Sequence, residues 1–282
     1  MAALTERAML VRLRVSTWTG SRKNKRVTEE NCARYGATRD AGVWLDHFIP
    51  DVWRKKLISA AGKLRNEAKH QTLPWLDDST RILRSDTFMD YRKRLQAELA
   101  KYNEVWEEFL KEYPAILANM PNRLQGLANQ GQMPSVTELR SKFGATMDVF
   151  PISNHQDFRS EMDDEDMKEV KAQMESTYQH NMKRMMNDVW GQMIAMVGKI
   201  EAKLSDPDKK FHDSLITNLI ELCIQLPKMN LTEDGDLKVM RKEVIDKLCH
   251  LKPDNLRHDK TERKDAAKKA KELMEKMKGY TS

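Results

Sequence analysis

Apolar residues recur along residues 162–204 in steps of four and three, the spacing that places them on one face of an α-helix. Met182, Met186, Val189, Met193, Met196 and Ile200 keep a seven-residue repeat, which predicts a coiled-coil-like seam. Upstream, Met167, Val170, Met174 and Tyr178 continue the stripe, but consecutive steps of four from Val170 to Met182 turn it around the helix. No proline interrupts the segment before Pro207, and Gly191 and Gly198 each cost only about 1 kcal/mol relative to Ala. A helix of this length extends roughly 60 Å, more than the diameter of a small domain. The pattern therefore predicts a protruding helical hairpin or a seam against a second copy of the chain. An ordinary core helix fits the same residues, because Met fills irregular interiors readily.

The opposite periodicity opens the chain. Val11, Leu13, Val15 and Thr17 alternate with Arg12, Arg14 and Ser16, which predicts a strand over 9–18. It ends at Gly20, and the basic run 21–26 reads as a solvated turn before a short helix capped by Thr28 and running to Tyr35 and Gly36. Helical spacing returns at Val52, Trp53, Leu57, Ile58, Ala61, Leu64 and Ala68. A short extended piece at 80–84 and another at 147–152 are the expected partners of the first strand in a three-piece sheet. From Asp86 or Thr87 a second long helix carries Phe88, Tyr91, Leu95, Leu99, Tyr102, Trp106, Phe109 and Leu110, with its end expected near Tyr113 because Pro114 follows. Pro121, Gly126, Gly131 and Pro134 divide 114–134 into a short helix and a turn, and Ser135 caps another short helix. Beyond the break at Asp206-Pro207, helices are expected at 208–226, 236–250 and 259–278. The whole predicts a mainly α (α+β) chain with long helices and a small β-sheet near the N-terminal half. An N-terminal α+β domain over 1–155 and a C-terminal helical domain over 156–282 are the expected division.

Charge changes this picture in one place. Residues 1–70 hold 15 Lys and Arg against 7 Asp and Glu, an excess of +8 within a chain whose net charge is +6, so the remainder is slightly acidic. Such asymmetry bears on association with polyanions. Arg12 and Arg14 share one strand face, Arg22, Lys23, Lys25 and Arg26 follow at once, and Trp18 offers a ring on which a base can stack. The alternative is a solvated strand whose charge prevents edge-to-edge aggregation. Cys32, Cys223 and Cys249 are odd in number and widely spaced, so reduced thiols and a cytoplasmic setting are expected. No apolar run has the length of a membrane span, and residues 1–10 lack a signal-peptide core.

Catalytic chemistry finds little to work with. The chain contains no G-x-x-x-x-G-K-[ST], no G-x-G-x-x-G, no G-x-S-x-G, no H-E-x-x-H and no Cys-x-x-Cys. Cys249, His250 and His258, with Cys223, match no zinc framework, and a buried Cys beside a surface His explains them. The acidic run 163–166 suits the start of a helix better than a cation site. His155 and Asp157 lack a third orienting group. No catalytic residue, cofactor or metal is therefore expected.

Three stretches, Met9-Leu-Val-Arg-Leu-Arg-Val-Ser-Thr-Trp-Thr-Gly20, Thr72-Leu-Pro-Trp-Leu-Asp-Asp78 and Phe150-Pro-Ile-Ser-Asn-His-Gln-Asp-Phe-Arg159, together resemble a family of unknown function carried by bacteriophages, plasmids and integrative elements. Members often have genes for a MoxR-type AAA+ ATPase and a von Willebrand factor A protein, or recombination genes, as neighbours. The resemblance implies an accessory subunit in a bacterial host cell and supplies no active-site residue. Two expectations follow: a non-enzymatic protein that self-associates through the Met seam and serves a partner such as an AAA+ ATPase, or a nucleic-acid-binding accessory protein that uses the N-terminal basic residues.

Overall fold

The computed structural model describes residues 4–127, 133–152 and 164–280, with the backbone alone at Asp164. Its elements in chain order are α1 (Leu4–Arg7), β1 (Ala8–Ser16), β2 (Ser21–Lys23), α2 (Lys25–Arg34), β3 (Leu45–His47), α3 (Asp51–Lys69), β4 (Leu73–Pro74), β5 (Thr80–Arg84), α4 (Phe88–Leu124), α5 (Val136–Arg140) and β6 (Gly144–Phe150). The helices α6 (Asp164–Leu204), α7 (Ser214–Met229), α8 (Gly235–Val244), α9 (Pro253–His258) and α10 (Lys260–Lys278) follow, with a π turn at Ile245–Cys249 after α8. The chain is mainly α with a small antiparallel sheet in its N-terminal half.

That sheet has the order β4-β5-β1-β6, so the three expected pieces are joined by the two-residue strand β4. β1 and β5 run antiparallel from Ala8↔Arg84 to Arg12↔Thr80. This pairing draws the N-terminus toward residues far along the chain. Two compact units result, neither continuous in sequence: the first comprises 1–12, 71–91 and 148–282, the second 13–70 and 92–147. A single cut near residue 155 cannot describe such an arrangement, because the strand partners of residues 8–12 lie some seventy residues downstream.

In the first unit α6 lies along the core. Met185, Val189, Met193, Val197, Ile200 and Leu204 are buried on it, with Trp190 beside them and Met182, Met186, Ile194 and Met196 half-buried against the same cluster. The covering elements are α7 and α10 of the same chain. The α10 helix runs antiparallel to α6: Arg263 reaches the carbonyl of Leu204, Met274 lies against Gly198, and Tyr280 stacks on Trp190 at 4.6 Å. Ala266, Ala267 and Ala270 are buried on α10, and these small side chains let the two helices approach closely. The earlier turns of α6 face the sheet instead, where Tyr178 meets Trp75 edge-on at 5.7 Å. Here Val170, Met174 and Tyr178 border a groove with Leu10 and Trp75, so the turned part of the stripe covers strands rather than helices.

The second unit is centred on α3 and the greater part of α4. Leu57, Ala61 and Leu64 of α3 and Phe109 and Tyr113 of α4 are fully buried. Its helix α4 continues through Pro114 and Pro121, where the sequence leads one to expect a stop near Tyr113. An internal proline forfeits one backbone hydrogen bond and costs about 3 kcal/mol. Burial of Tyr113 and Met120 on either side of Pro114 offsets this, and the Tyr113 hydroxyl donates to the Pro134 carbonyl at 3.0 Å.

The end of α6 depends on one side chain. The Arg263 guanidinium, 8% exposed, donates to the carbonyls of Leu204 at 3.2 Å and of Lys203 and Lys209 at 2.8 Å, and also to that of Asp206. Replacing Arg263 with Met keeps the aliphatic stem and removes all of these bonds. Urea unfolding of the Arg263→Met protein should show a loss of about 3 kcal/mol, the scale of losing several charge-assisted hydrogen bonds, one buried and the rest part-buried. A change under about 0.5 kcal/mol would mean that water replaces the guanidinium without penalty.

Candidate nucleic-acid interface

The basic run 21–26 is not a solvated turn. Ser21–Lys23 forms β2, paired antiparallel with β3 through Ser21↔His47, Arg22↔Asp46 and Lys23↔Leu45. The cap of α2 is Asn24, not Thr28: its side-chain oxygen accepts from the Val27 N–H at 3.1 Å. Thr28 instead bridges, donating to the Asn24 carbonyl at 2.7 Å and accepting from the Trp44 N–H at 2.9 Å. Asp46, 4% exposed, accepts from the Asn24 amide at 2.8 Å and from the Trp44 indole at 2.9 Å. This buried carboxylate fastens the start of α2 to β3 and holds the basic strand in a fixed register.

Gly20 makes the entry to β2 possible. Its φ is +61°, and a Cβ added there would lie 2.6 Å from Ile49 Cγ1. The Gly20 carbonyl accepts from the Phe48 N–H at 2.7 Å, which closes the chain around the paired strands.

Beside these strands opens a cleft of about 600 Å³ bordered by Trp18, Arg22, Phe48, Pro134, Glu138 and Lys142. The Arg22 guanidinium sits 5.3 Å from the Phe48 ring centre. Trp18 is half-buried: it meets Tyr113 edge-on at 5.9 Å and Phe109 at 6.2 Å, so one part of the indole belongs to the core and the rest faces the cleft. Glu138 completes a capping box with Ser135 at the start of α5, and those hydrogen bonds from Ser135 hold its carboxyl below the usual range. Burial pushes the Tyr113 phenol up to about 12, with the negative Glu138 adding to the shift, so its hydroxyl stays a proton donor.

Of the contact residues nominated from the sequence, Arg22 and Trp18 come together in the cleft. Lys23 and Lys25 are exposed on β2 and α2, Arg26 pairs with Glu30 at 2.6 Å, and Arg14 is exposed on β1. Arg12 belongs to the first unit, where it donates to the Thr80 hydroxyl at 2.7 Å and lies 5.8 Å from the Phe150 ring centre. It is not part of the cleft. Lys142, Phe48 and Glu138 were not legible as partners of Arg22, since more than ninety positions separate the last from Arg22 and only the fold joins them.

The Met seam has a different fate. Val189, Met193 and Ile200 are 0% exposed within the first unit, and Met182, Met186 and Met196 are half-buried against the same core. Cover for this face comes from α7 and α10, so these residues offer no open seam to a second copy. Cys223 and Cys249 do meet, Sγ to Sγ at 3.9 Å, but among the described residues no group of three His, Cys, Asp or Glu is placed to hold a metal ion. His155, Asp157, Asp163 and Gly131 lie outside the described residues. Ser21 and His47 share a hydrogen bond at 2.8 Å through His47 Nδ1; among the described residues no carboxylate orients the other ring nitrogen, and the contact reads as a ladder pair.

Charge separates with the two units. The second holds 21 Lys and Arg against 12 Asp and Glu, a net +9, while the first holds 28 against 31, a net −3. Among the described residues no helix is long and apolar enough to cross a membrane.

The geometry at Gly20 predicts a contrast between two glycines with almost the same backbone. Gly36, at φ +62°, has nothing within 4 Å of an added Cβ. Gly36→Ala should therefore cost only the backbone strain of about 1–2 kcal/mol, and Gly20→Ala should cost about 1–3 kcal/mol more from overlap with Ile49. Urea unfolding of both proteins checks this, and equal losses would show that Ile49 moves aside freely. Comparisons with protein-family models, with curated proteins and with solved structures find no match for this chain.

Proposed function

We propose that this chain is a non-enzymatic accessory protein that binds single-stranded nucleic acid through its second unit. The observation that carries the reading is the concentration of net positive charge, +9, in the unit that also holds a cleft bordered by Arg22, Lys142, Trp18 and Phe48. Phosphates attract to such a surface by releasing condensed counterions, whatever the base sequence. Aromatic rings in the cleft add a face for an unpaired base, which a duplex does not offer. A cleft of about 600 Å³ suits a nucleotide rather than a double helix. The resemblance to mobile-element proteins with recombination genes nearby agrees with this role. A partner ATPase rests on that resemblance alone, and self-association through the Met residues would require α7 or α10 to leave the core.

Binding of a fluorescent single-stranded oligonucleotide, DNA or RNA, across a salt series tests the proposal. Arg22→Ala combined with Lys142→Ala should weaken binding and reduce the slope of log K against log salt by about 1.4, about 0.7 for each lost phosphate contact on a single strand. An unchanged slope in a folded double variant would remove the cleft from consideration.

Glu138 provides a test of opposite sign. Gln at the third helical position preserves the reciprocal cap with Ser135. Glu138→Gln should therefore keep stability while removing a negative charge from the cleft, and affinity should rise about two- to fivefold at low salt. Weaker binding by this variant would place the carboxylate among the contacts rather than against them.

A further inference from the structure

Two thiols meet in the helices of the first unit. Cys223, in the middle of α7, is 2% exposed, and Cys249 closes the π turn that follows α8 and is half-buried. A π turn inserts one extra residue into the helical repeat and swings the following side chain around the axis. Here it carries Cys249 to α7, and the two sulfurs stand 3.9 Å apart although 26 residues separate them. A disulfide requires about 2.05 Å, so joining the pair needs the two sulfurs to approach by side-chain rotation and adjustment of the backbone.

We propose that Cys223 and Cys249 form a redox-active dithiol that closes to an intrachain disulfide by exchange with a small-molecule disulfide of the glutathione type. The less buried member acts first. Cys249 thiolate attacks one sulfur of glutathione disulfide, forming a mixed disulfide and releasing one glutathione thiolate, which takes up a proton. Cys223 then gives up its proton and attacks Cys249 Sγ, breaking the mixed disulfide and releasing the second glutathione. Two protein thiols lose two electrons in total, and one glutathione disulfide gains them to become two glutathione thiols.

The surroundings favour this order. Arg241 on α8 donates its Nε–H to the Cys223 carbonyl, which brings a fixed positive charge to the pair. The hydrogen bond between the two sulfurs lowers the pKa of Cys249, and Arg241 assists; the same bond, together with burial, raises that of Cys223. The outer sulfur is thus the nucleophile and the inner one the resolving thiol. Closure would tie α7 to the end of α8 and fix the π turn in place.

The wild-type protein serves for the test. It is incubated with excess glutathione disulfide, then acid-quenched, unfolded and treated with N-ethylmaleimide. Of three cysteines, only Cys32 should remain alkylatable, the intact mass before alkylation should fall by about 2 Da, and a digest should contain one peptide joining Cys223 to Cys249. Cys223→Ser should halt at a glutathione adduct on Cys249, while Cys249→Ser should leave the buried Cys223 alkylatable. Retention of both thiols in the wild type, or separate glutathione adducts without the joined peptide, would overturn the proposal.

Discussion

The guanidinium of Arg263 is the fastening on which the helical layer of the first unit depends. A helix ends with carbonyls that have no intrahelical partner, and at the end of α6 the buried Arg263 supplies partners for them. Arg263 sits in the first turn of α10 and bonds the carbonyls of Lys203 and Leu204 together with those of Asp206 and Lys209 in the loop beyond. That single residue sets where α10 begins along α6. Everything downstream then follows in antiparallel register: the alanines pack in the first turns, Met274 meets Gly198, and Tyr280 reaches Trp190. The same guanidinium lies 5.5 Å from the Phe211 ring centre, with Arg257 at 5.3 Å, so the connection to α7 is held by two cations on one aromatic ring.

Charge in the second unit is organised by where its carboxylates are engaged. On α4, Glu107 pairs with Arg140, Glu108 with Lys56, and Glu112 accepts from the Trp53 indole. Glu67 of α3 answers Arg94 of α4. The acids are thus used to join α3, α4 and α5 to one another. Lys23 and Lys25, exposed on β2 and α2, add to an excess that these pairs do not cancel, and Asp46, opposite Arg22 in the strand pair, is buried and bonded by Asn24 and Trp44. A compact unit with net +9 repels itself, and a net charge of this size bears on its solubility and on its association with polyanions.

Much of this architecture is legible where the information is local. Alternation along Val11, Leu13 and Val15 identifies β1, the 80–84 strand appears with its expected bounds, and α3 begins at Asp51 after Pro50 as its pattern requires. The rest depends on distant partners. Pro114 reads as a stop because a proline inside a helix loses a hydrogen bond; nothing local reveals that Tyr113 and Met120 are buried enough to carry the helix through. Thr28 looks like a cap because it is followed by a helical pattern, but Asn24 takes that role once Asp46, 22 residues away, orients its amide. Half of the cleft was readable in Trp18 and Arg22, since aromatic and basic residues stood close in sequence. Its other wall, Glu138 and Lys142, arrives only when α5 folds back against the middle of α4, where Arg140 meets Glu107 and Trp106.

The Met stripe shows why an amphipathic pattern names a buried face but not its occupant. A two-stranded coiled coil covers a narrow seam, two positions in seven, whereas a helix inside a bundle is covered over a wider arc. On α6 the covered arc is wide: Met185 and Val197 are as buried as Val189, Met193 and Ile200, and Trp190, Ile194 and Met196 are drawn in beside them. One partner helix cannot cover such an arc, while α7 and α10 together do. In the sequence, the heptad through Met182, Met186, Val189, Met193, Met196 and Ile200 and the steps of four through Met185, Val189, Met193 and Val197 coexist. Their overlap means that two neighbouring lines along the helix are apolar, and this width, rather than the regularity of either line, is the property that points to a core within one chain.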